Sequence, residues 1–255
     1  MNDIKNNELK ISYLKDKISK LPHGSFVPIR GLLYVVVTYD PFEPAVNSKN
    51  RRRYRITSNK GRFYTPLIEE YIKLKKELNE LEYRWNLIYR FPPRQIEYPL
   101  KKRKYSIFDG DYFDNAVSNS NGLPVEHPIE YKGMIFRSKN ELLTCQLIES
   151  KGYKVKVEPL VGSSFDALFP DIVFKVPEQC KCIGLEIDGA LDREQYAYKS
   201  RNRRKGYLEK GFQIGKDIVF LDLADPHSFY PELFETQIRL AVEASLDDIV
   251  FPGED

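Results

Sequence analysis

The chain has 255 residues, enough for one large domain or two modest ones, and 42% of them are hydrophobic, so a packed core is within reach. No run approaches the roughly 18 apolar residues of a membrane helix, the charged start MNDIKNNELK is unlike a signal peptide, and three cysteines make no disulfide framework; the expectation is a soluble, cytoplasmic protein with no membrane partner. The net charge of +3 hides a split: residues 1–104 carry 23 basic against 11 acidic side chains (+12), whereas 105–255 carry 17 against 26 (−9), which suits a basic half for a polyanion and an acidic half that concentrates carboxylates.

In chain order, Ile4, Ile11, Leu14, Ile18 and Leu21 follow a loose heptad stripe and predict a first helix, stopped by Pro22 and Gly24. Leu32–Tyr39 and the run RRRYR at 51–55 read as strands, with Pro41, Pro44, Asn47 and Ser48 marking the turn between them. Leu67, Tyr71, Leu74, Leu78, Leu81, Trp85 and Ile88 form a second heptad stripe, for which Thr65-Pro66 offers an N-cap and a first helical position. Residues 1–92 are therefore expected to form a helix–antiparallel sheet–helix module, its helices zipped as an antiparallel pair or joined across a homodimer. Arg51, Arg52, Arg53 and Arg55 with Tyr54 and Phe63 suit phosphate contacts and base or sugar stacking, and Lys101, Lys102, Arg103 and Lys104 add a second basic cluster. The competing reading of the arginine run is an edge strand kept soluble by charge.

Residues 93–130, rich in Pro, Asn, Ser and charge, read as a linker. Within it, DGDYFD (109–114) lacks the closing glutamate of a calcium loop, since position 120 is Ser120, and is taken as a turn. In residues 131–255, Ser138 and Glu141 have capping-box spacing at the start of a helix with Leu142, Leu143, Leu147 and Ile148. Strands follow at YKVKVEP, FPDIVFKV and CIGLEIDG, then a basic helix over 192–211, a strand DIVFLDL at 217–223 and a last helix near 231–245. This order predicts an α+β or α/β domain with a central mixed sheet flanked by helices.

Three carboxylates stand out. If the strands carrying Asp171 and Glu186 form a hairpin, the two side chains lie side by side, and Mg2+ takes one or two carboxylates plus waters and a phosphate oxygen. Glu141 sits in the preceding helix. Glu141, Pro170-Asp171 and Glu186-Ile187-Asp188 resemble the E…PD…(D/E)-x-K pattern of the PD-(D/E)XK, restriction-endonuclease-like nucleases, over about residues 131–245. The run RSKNE with GYKVKVEP resembles a subgroup found in bacterial, phage and mobile-element proteins.

The resemblance implies a restriction-endonuclease-like fold that cleaves DNA with Mg2+, for which Mn2+ can substitute. Asp171 and Glu186 would then hold the ion, with the Ile187 carbonyl as a further ligand. Glu141 would act through water or a second ion, and Asp188 shares the face of Glu186. Asp188 stands where the family has lysine, so the basic role passes to the following helix: Gln195, Lys199 and Asn202 share one arc, Lys199 is the first choice and Arg203 the second. The departure also admits an inactive nuclease fold that binds DNA or serves an assembly. For each acidic residue a structural role competes: Glu141 completing the capping box, Asp171 starting a strand, Glu186 and Asp188 pairing with Arg201, Arg203 or Arg204. Cys180-Lys-Cys182 lacks the second pair a zinc site needs.

Overall fold

A computed structural model describes every residue except 1, 44, 48, 99, 101–107, 163–166, 190–193, 224, 226, 227, 250 and 252–255. The basic cluster Lys101, Lys102, Arg103 and Lys104 thus lies outside the described residues. The chain divides into two compact units that meet in sequence at Lys101 and Lys102. No helix among the described residues is long and apolar enough to cross a membrane.

The first unit comprises α1 (Asn2–Ser19), the antiparallel strands β1 (His23–Ile29), β2 (Leu32–Tyr39) and β3 (Arg52–Arg55) in the order β1-β2-β3, and α2 (Asn59–Ile88). Arg30 and Gly31 both take positive φ, so β1 and β2 are joined by a two-residue turn of the kind that matches strand twist. Gly24 is required by close approach, because a Cβ there would meet the Val36 carbonyl oxygen at 2.1 Å. Val35, Val37 and Val46 pack against Tyr64 and Ile68 of α2. Farther along α2, Leu78 and Trp85 bury against Ile11 and Leu14 of α1, flanked by Lys10–Glu77 (2.9 Å) and Lys15–Glu82 (2.8 Å) ion pairs. The two heptad stripes therefore meet within one chain.

Helix α2 begins two turns earlier than Thr65-Pro66 suggested. The Ser58 side chain caps it by accepting from the Gly61 N–H at 3.1 Å, and Pro66 lies inside the helix. A proline there removes one helical hydrogen bond. What offsets that loss is the burial of Tyr64 on the sheet, with its hydroxyl donating to Asp40 at 2.6 Å.

The second unit holds α3 (Gly110–Asn115), a hairpin of β4 (Ile129–Tyr131) and β5 (Met134–Phe136), α4 (Lys139–Ser150), β6 (Lys154–Val157), β7 (Ile172–Val176), β8 (Lys181–Asp188), α5 (Glu194–Glu209), β9 (Ile218–Asp222) and α6 (Pro231–Ala244). Strands β6 to β9 form one sheet in that order; β6, β7 and β8 are antiparallel and β9 joins β8 in parallel after the α5 crossover. This is the mixed α+β architecture the element order predicted. On one face, Ile172, Phe174, Leu185 and Leu221 pack with Ile148 of α4 and Phe234 and Ile238 of α6. On the other, Val173, Cys182 and Phe220 pack with Tyr207 of α5, Phe108 and Phe113. Part of the expected linker is thus core: DGDYFD forms the short helix α3, capped by Asp109, and delivers Phe113 to the sheet.

Candidate active site

Strand β8 runs through the middle of the sheet and is buried along nearly its whole length, yet it carries Glu186 and Asp188. By strand alternation both point to the face covered by α5, while Leu185 and Ile187 point to the opposite one. Strand β7 pairs Ile172 with Leu185, so one further step along the antiparallel ladder brings Asp171 level with Glu186. Asp171 accepts a hydrogen bond from the Ile187 N–H at 2.6 Å, which fixes its carboxyl beside β8. Ile187 thus contributes to the site through its N–H, and its side chain packs in the core on the other face.

Glu141 occupies the first turn of α4. One of its oxygens accepts from the Arg137 N–H at 2.8 Å and the other from the Ser138 hydroxyl at 2.9 Å. The helix cap and the acidic cluster therefore use the same side chain. Glu141, Asp171 and Glu186 lie within electrostatic reach of one another. Burial raises all three carboxyls above their ordinary values, Asp171 strongly and Glu186 to about 7, and repulsion adds to it: from Glu158 at Glu141, from Glu186 and Glu141 at Asp171, and from Asp188 and Glu141 at Glu186.

Two arginines answer this charge. Arg203 of α5 donates from Nη1 to Glu186 Oε2 at 2.7 Å and from Nη2 to Asp188. The remaining oxygen of Glu186 accepts from the Tyr207 hydroxyl at 2.7 Å, and that of Asp188 from the Ser200 hydroxyl. Burial works against the Arg203 charge, but Glu186, Asp188 and Asp171 outweigh it and raise its pKa; Tyr207 is likewise raised by burial and by Glu186. Arg137 grips Glu158 with Nε at 2.5 Å and Nη2 at 3.2 Å, and also donates to the carbonyls of Leu123 and Pro124. Glu158 is buried and adopts φ of 41°, a strained conformation for a residue with a side chain, and its N–H donates to the Asp171 carbonyl at 3.1 Å.

The face of α5 turned to the carboxylates is Ser200, Arg203 and Tyr207, not the arc of Gln195, Lys199 and Asn202. Lys199 is exposed, with its ammonium 5.8 Å over the Tyr196 ring, so the basic residue at the cluster is Arg203. Arg204, next along the helix, pairs with Asp222 of β9 and stacks on Phe220 at 4.0 Å; Arg201 is exposed. Reasoning from the sequence missed Arg137, Glu158, Ser200 and Tyr207. For the last two the available signal was the i, i+3, i+7 spacing with Arg203. Arg137 and Glu158 are 21 residues apart and carry no periodic signal.

Among the described residues, no three His, Cys, Asp or Glu side chains stand around one point as a ready-made cation site; Glu186 and Asp188 are turned to Arg203. The donor chemistry nevertheless fits a hard divalent cation. Among the described residues, the five oxygen-bearing acids Glu141, Glu158, Asp171, Glu186 and Asp188 gather around the guanidiniums of Arg137 and Arg203, and burial is the main reason that Glu141, Asp171 and Glu186 hold their protons more tightly than usual.

In the first unit, β3 is an edge strand. The pleat divides its arginines: Arg53 and Arg55 face one side, Arg52 the side of Tyr54. Tyr54 stacks on Tyr64 with centroids 5.3 Å apart, and the Lys60 ammonium lies 5.5 Å over the Tyr54 ring. Arg51, Arg52, Arg53, Tyr54 and Lys60 line a depression of about 600 Å³ whose one acidic member is Glu43. Among the described residues none of these four basic side chains makes an ion pair with a carboxylate.

The second unit is thus a helix-flanked mixed sheet with a buried acidic cluster on one face, joined in sequence to a basic helix–sheet–helix unit. Comparison with family models, with curated proteins and with solved structures finds no match to this chain.

Proposed function

We propose that this protein is a metal-dependent endonuclease that hydrolyses DNA phosphodiester bonds, with Asp171 and Glu186 holding Mg2+ or Mn2+ and the arginines of β3 contacting nucleic acid. The observation that carries the reading is the level placement of Asp171 and Glu186 on adjacent strands, with Glu141 in electrostatic reach and all three carboxyls raised. A structural ion network has no need of acids beyond the number its bases can neutralise, and leaving them unpaired is costly. A bound divalent ion would polarise the scissile phosphate and lower the pKa of a coordinated water. The protein's own groups do the rest: Ile187 N–H and Tyr207 OH hold the Asp171 and Glu186 carboxyls in place. Arg137 fixes the loop around Glu158, and the α4 cap positions Glu141. The arginines of β3, which have no carboxylate partner among the described residues, would bring a polyanion to a protein whose other half is acidic.

One observation favours a second reading. Arg203 already pairs with both Glu186 and Asp188, and the third motif ends in Asp188 in place of lysine, as in a nuclease fold turned to DNA binding or assembly. Supercoiled plasmid incubated with the protein and Mg2+ or Mn2+ separates the two. Nicking that falls to the EDTA background in Asp171→Ala is expected. Intact plasmid, duplex, branched and single-stranded alike, with DNA still retarded on a gel, would replace the enzyme by the binding subunit.

A further inference from the structure

The guanidinium of Arg203 spans two carboxylates two residues apart on β8, the position from which a cation would reach Glu186. We infer that Arg203 and a divalent cation are alternative occupants of this cluster, so that metal binding displaces the arginine from Glu186. The inference rests on the reading of the cluster as a metal site.

Three features make displacement, rather than coexistence, the expected outcome. First, an ion about 2.1 Å from a Glu186 oxygen would stand beside a guanidinium held at 2.7 Å from the same carboxylate, two cations sharing one anion in a poorly solvated place. Second, only one of the partners has somewhere to go. The Glu186 and Asp188 side chains are 1% and 2% exposed, whereas that of Arg203 is 41% exposed, and its Nε is buried without a hydrogen-bond partner among the described residues. Swinging outward would cost Arg203 no bond at Nε and return that group to water. Third, α5 does not depend on Arg203 alone to stay docked. Tyr207 is buried against the sheet, Ser200 donates to Asp188, and Arg204 keeps Asp222 and its stack on Phe220. Arg203 thus serves the cluster as its counter-ion, and a bound divalent cation would take over that part.

The test is Mn2+ binding to the full-length protein, followed by calorimetry or by the Mn2+ resonance signal, for wild type, Arg203→Gln and Arg203→Lys. Arg203→Gln is expected to bind Mn2+ about tenfold more tightly than wild type. In EDTA it should melt below wild type, and saturating Mn2+ should recover that loss. Arg203→Lys, which keeps the competing charge, should stay near wild-type affinity. Should the glutamine variant not fold, the wild type decides the matter through its arginine side-chain N–H resonances. Diamagnetic Mg2+ should shift Arg203 Nε–H and leave Arg204 unmoved.

Equal or weaker Mn2+ binding by a folded Arg203→Gln, or an unmoved Arg203 resonance at saturating Mg2+, would overturn the inference. These readouts stand apart from cleavage. Tighter binding by the variant with no plasmid nicking supports the inference and removes the enzyme. Metal-dependent nicking with unchanged affinity removes the inference and keeps the enzyme. No Mn2+ binding by any form removes the metal site and the inference with it.

Discussion

Burial drives the Glu186 carboxyl upward, while Arg203 and the Tyr207 hydroxyl pull it down; the balance falls at about 7. In the unfolded chain the same group ionises near the ordinary glutamate value, about 4.3. Between those two pH values the folded state holds a proton that the unfolded state has lost, so this group favours folding fully below about 4.3 and ceases to do so as pH rises through about 7. Asp171 and Glu141 shift in the same direction. In EDTA, the melting temperature should therefore fall from pH 5 to pH 8. Glu186→Gln, which cannot ionise, should show a shallower fall by several degrees, as read by circular dichroism. An identical slope in the two proteins would mean that Glu186 is ionised throughout the range. At this scale the sequence was legible where spacing constrained it. Asp171 and Glu186 flank a short turn between two strands, which leaves few registers open. The rotation of α5 was not legible, because a helix dense in charge has no apolar stripe to show which side lies down. Only Tyr207 marks that side, and it selects Arg203 over Lys199.

Among the elements, the apolar strands β2, β7, β8 and β9 were readable because burial on both faces, or on one, writes itself as β-branched and aromatic runs. The start of α2 was misplaced for a physical reason. Pro66 is a good first helical residue, but the turns before it gain the burial of Tyr64, which is a tertiary contact and invisible to local pattern. The hairpin turns at Arg30-Gly31 and Lys132-Gly133, each with two positive φ values, went unremarked because neither carries the usual Asn or Asp. Strand β3 is the element whose role can be measured directly. Its arginines lack carboxylate partners among the described residues, so their charge is available to phosphates. Each phosphate contact contributes about 0.9 to the slope of log affinity against log salt on duplex, and about 0.7 on single strands. Changing Arg51, Arg52 and Arg53 together to Ala should weaken DNA binding and lower that slope by about 2 to 3. Fluorescence anisotropy across a salt series reads both quantities, and an unchanged slope would return β3 to the role of a solvated edge.

For the whole molecule, the question left by the heptads is whether the chain pairs with itself. A dimer built on them would need an apolar stripe presented outward. Instead Ile11, Leu14, Leu78 and Trp85 are buried together, with Ile4, Ile18, Leu74 and Leu81 packed around them, and lysine–glutamate pairs flank the seam. The far side of α2 does expose Ile72, Tyr83 and Leu87, but three side chains set among Lys75, Lys76 and Glu80 fall short of the roughly 800 Å² per partner of a stable interface. The same seam makes Trp85 a stability residue, since it is 2% exposed and its indole N–H donates to the Phe91 carbonyl at 2.7 Å. Light scattering at tens of micromolar is accordingly expected to give the monomer mass of 29.9 kDa. Trp85→Ala should leave that mass unchanged while lowering stability by about 3–5 kcal/mol in denaturant unfolding, the usual cost of emptying a large aromatic site. A wild-type mass near twice the monomer value, lost in Trp85→Ala, would show that the seam joins two chains and not two helices of one. The charge division matters at the same scale. On the proposed reading, a unit whose β3 arginines have no carboxylate partner among the described residues would attract a polyanion that the acidic unit would by itself repel, and binding at moderate salt is expected to need both halves in one chain.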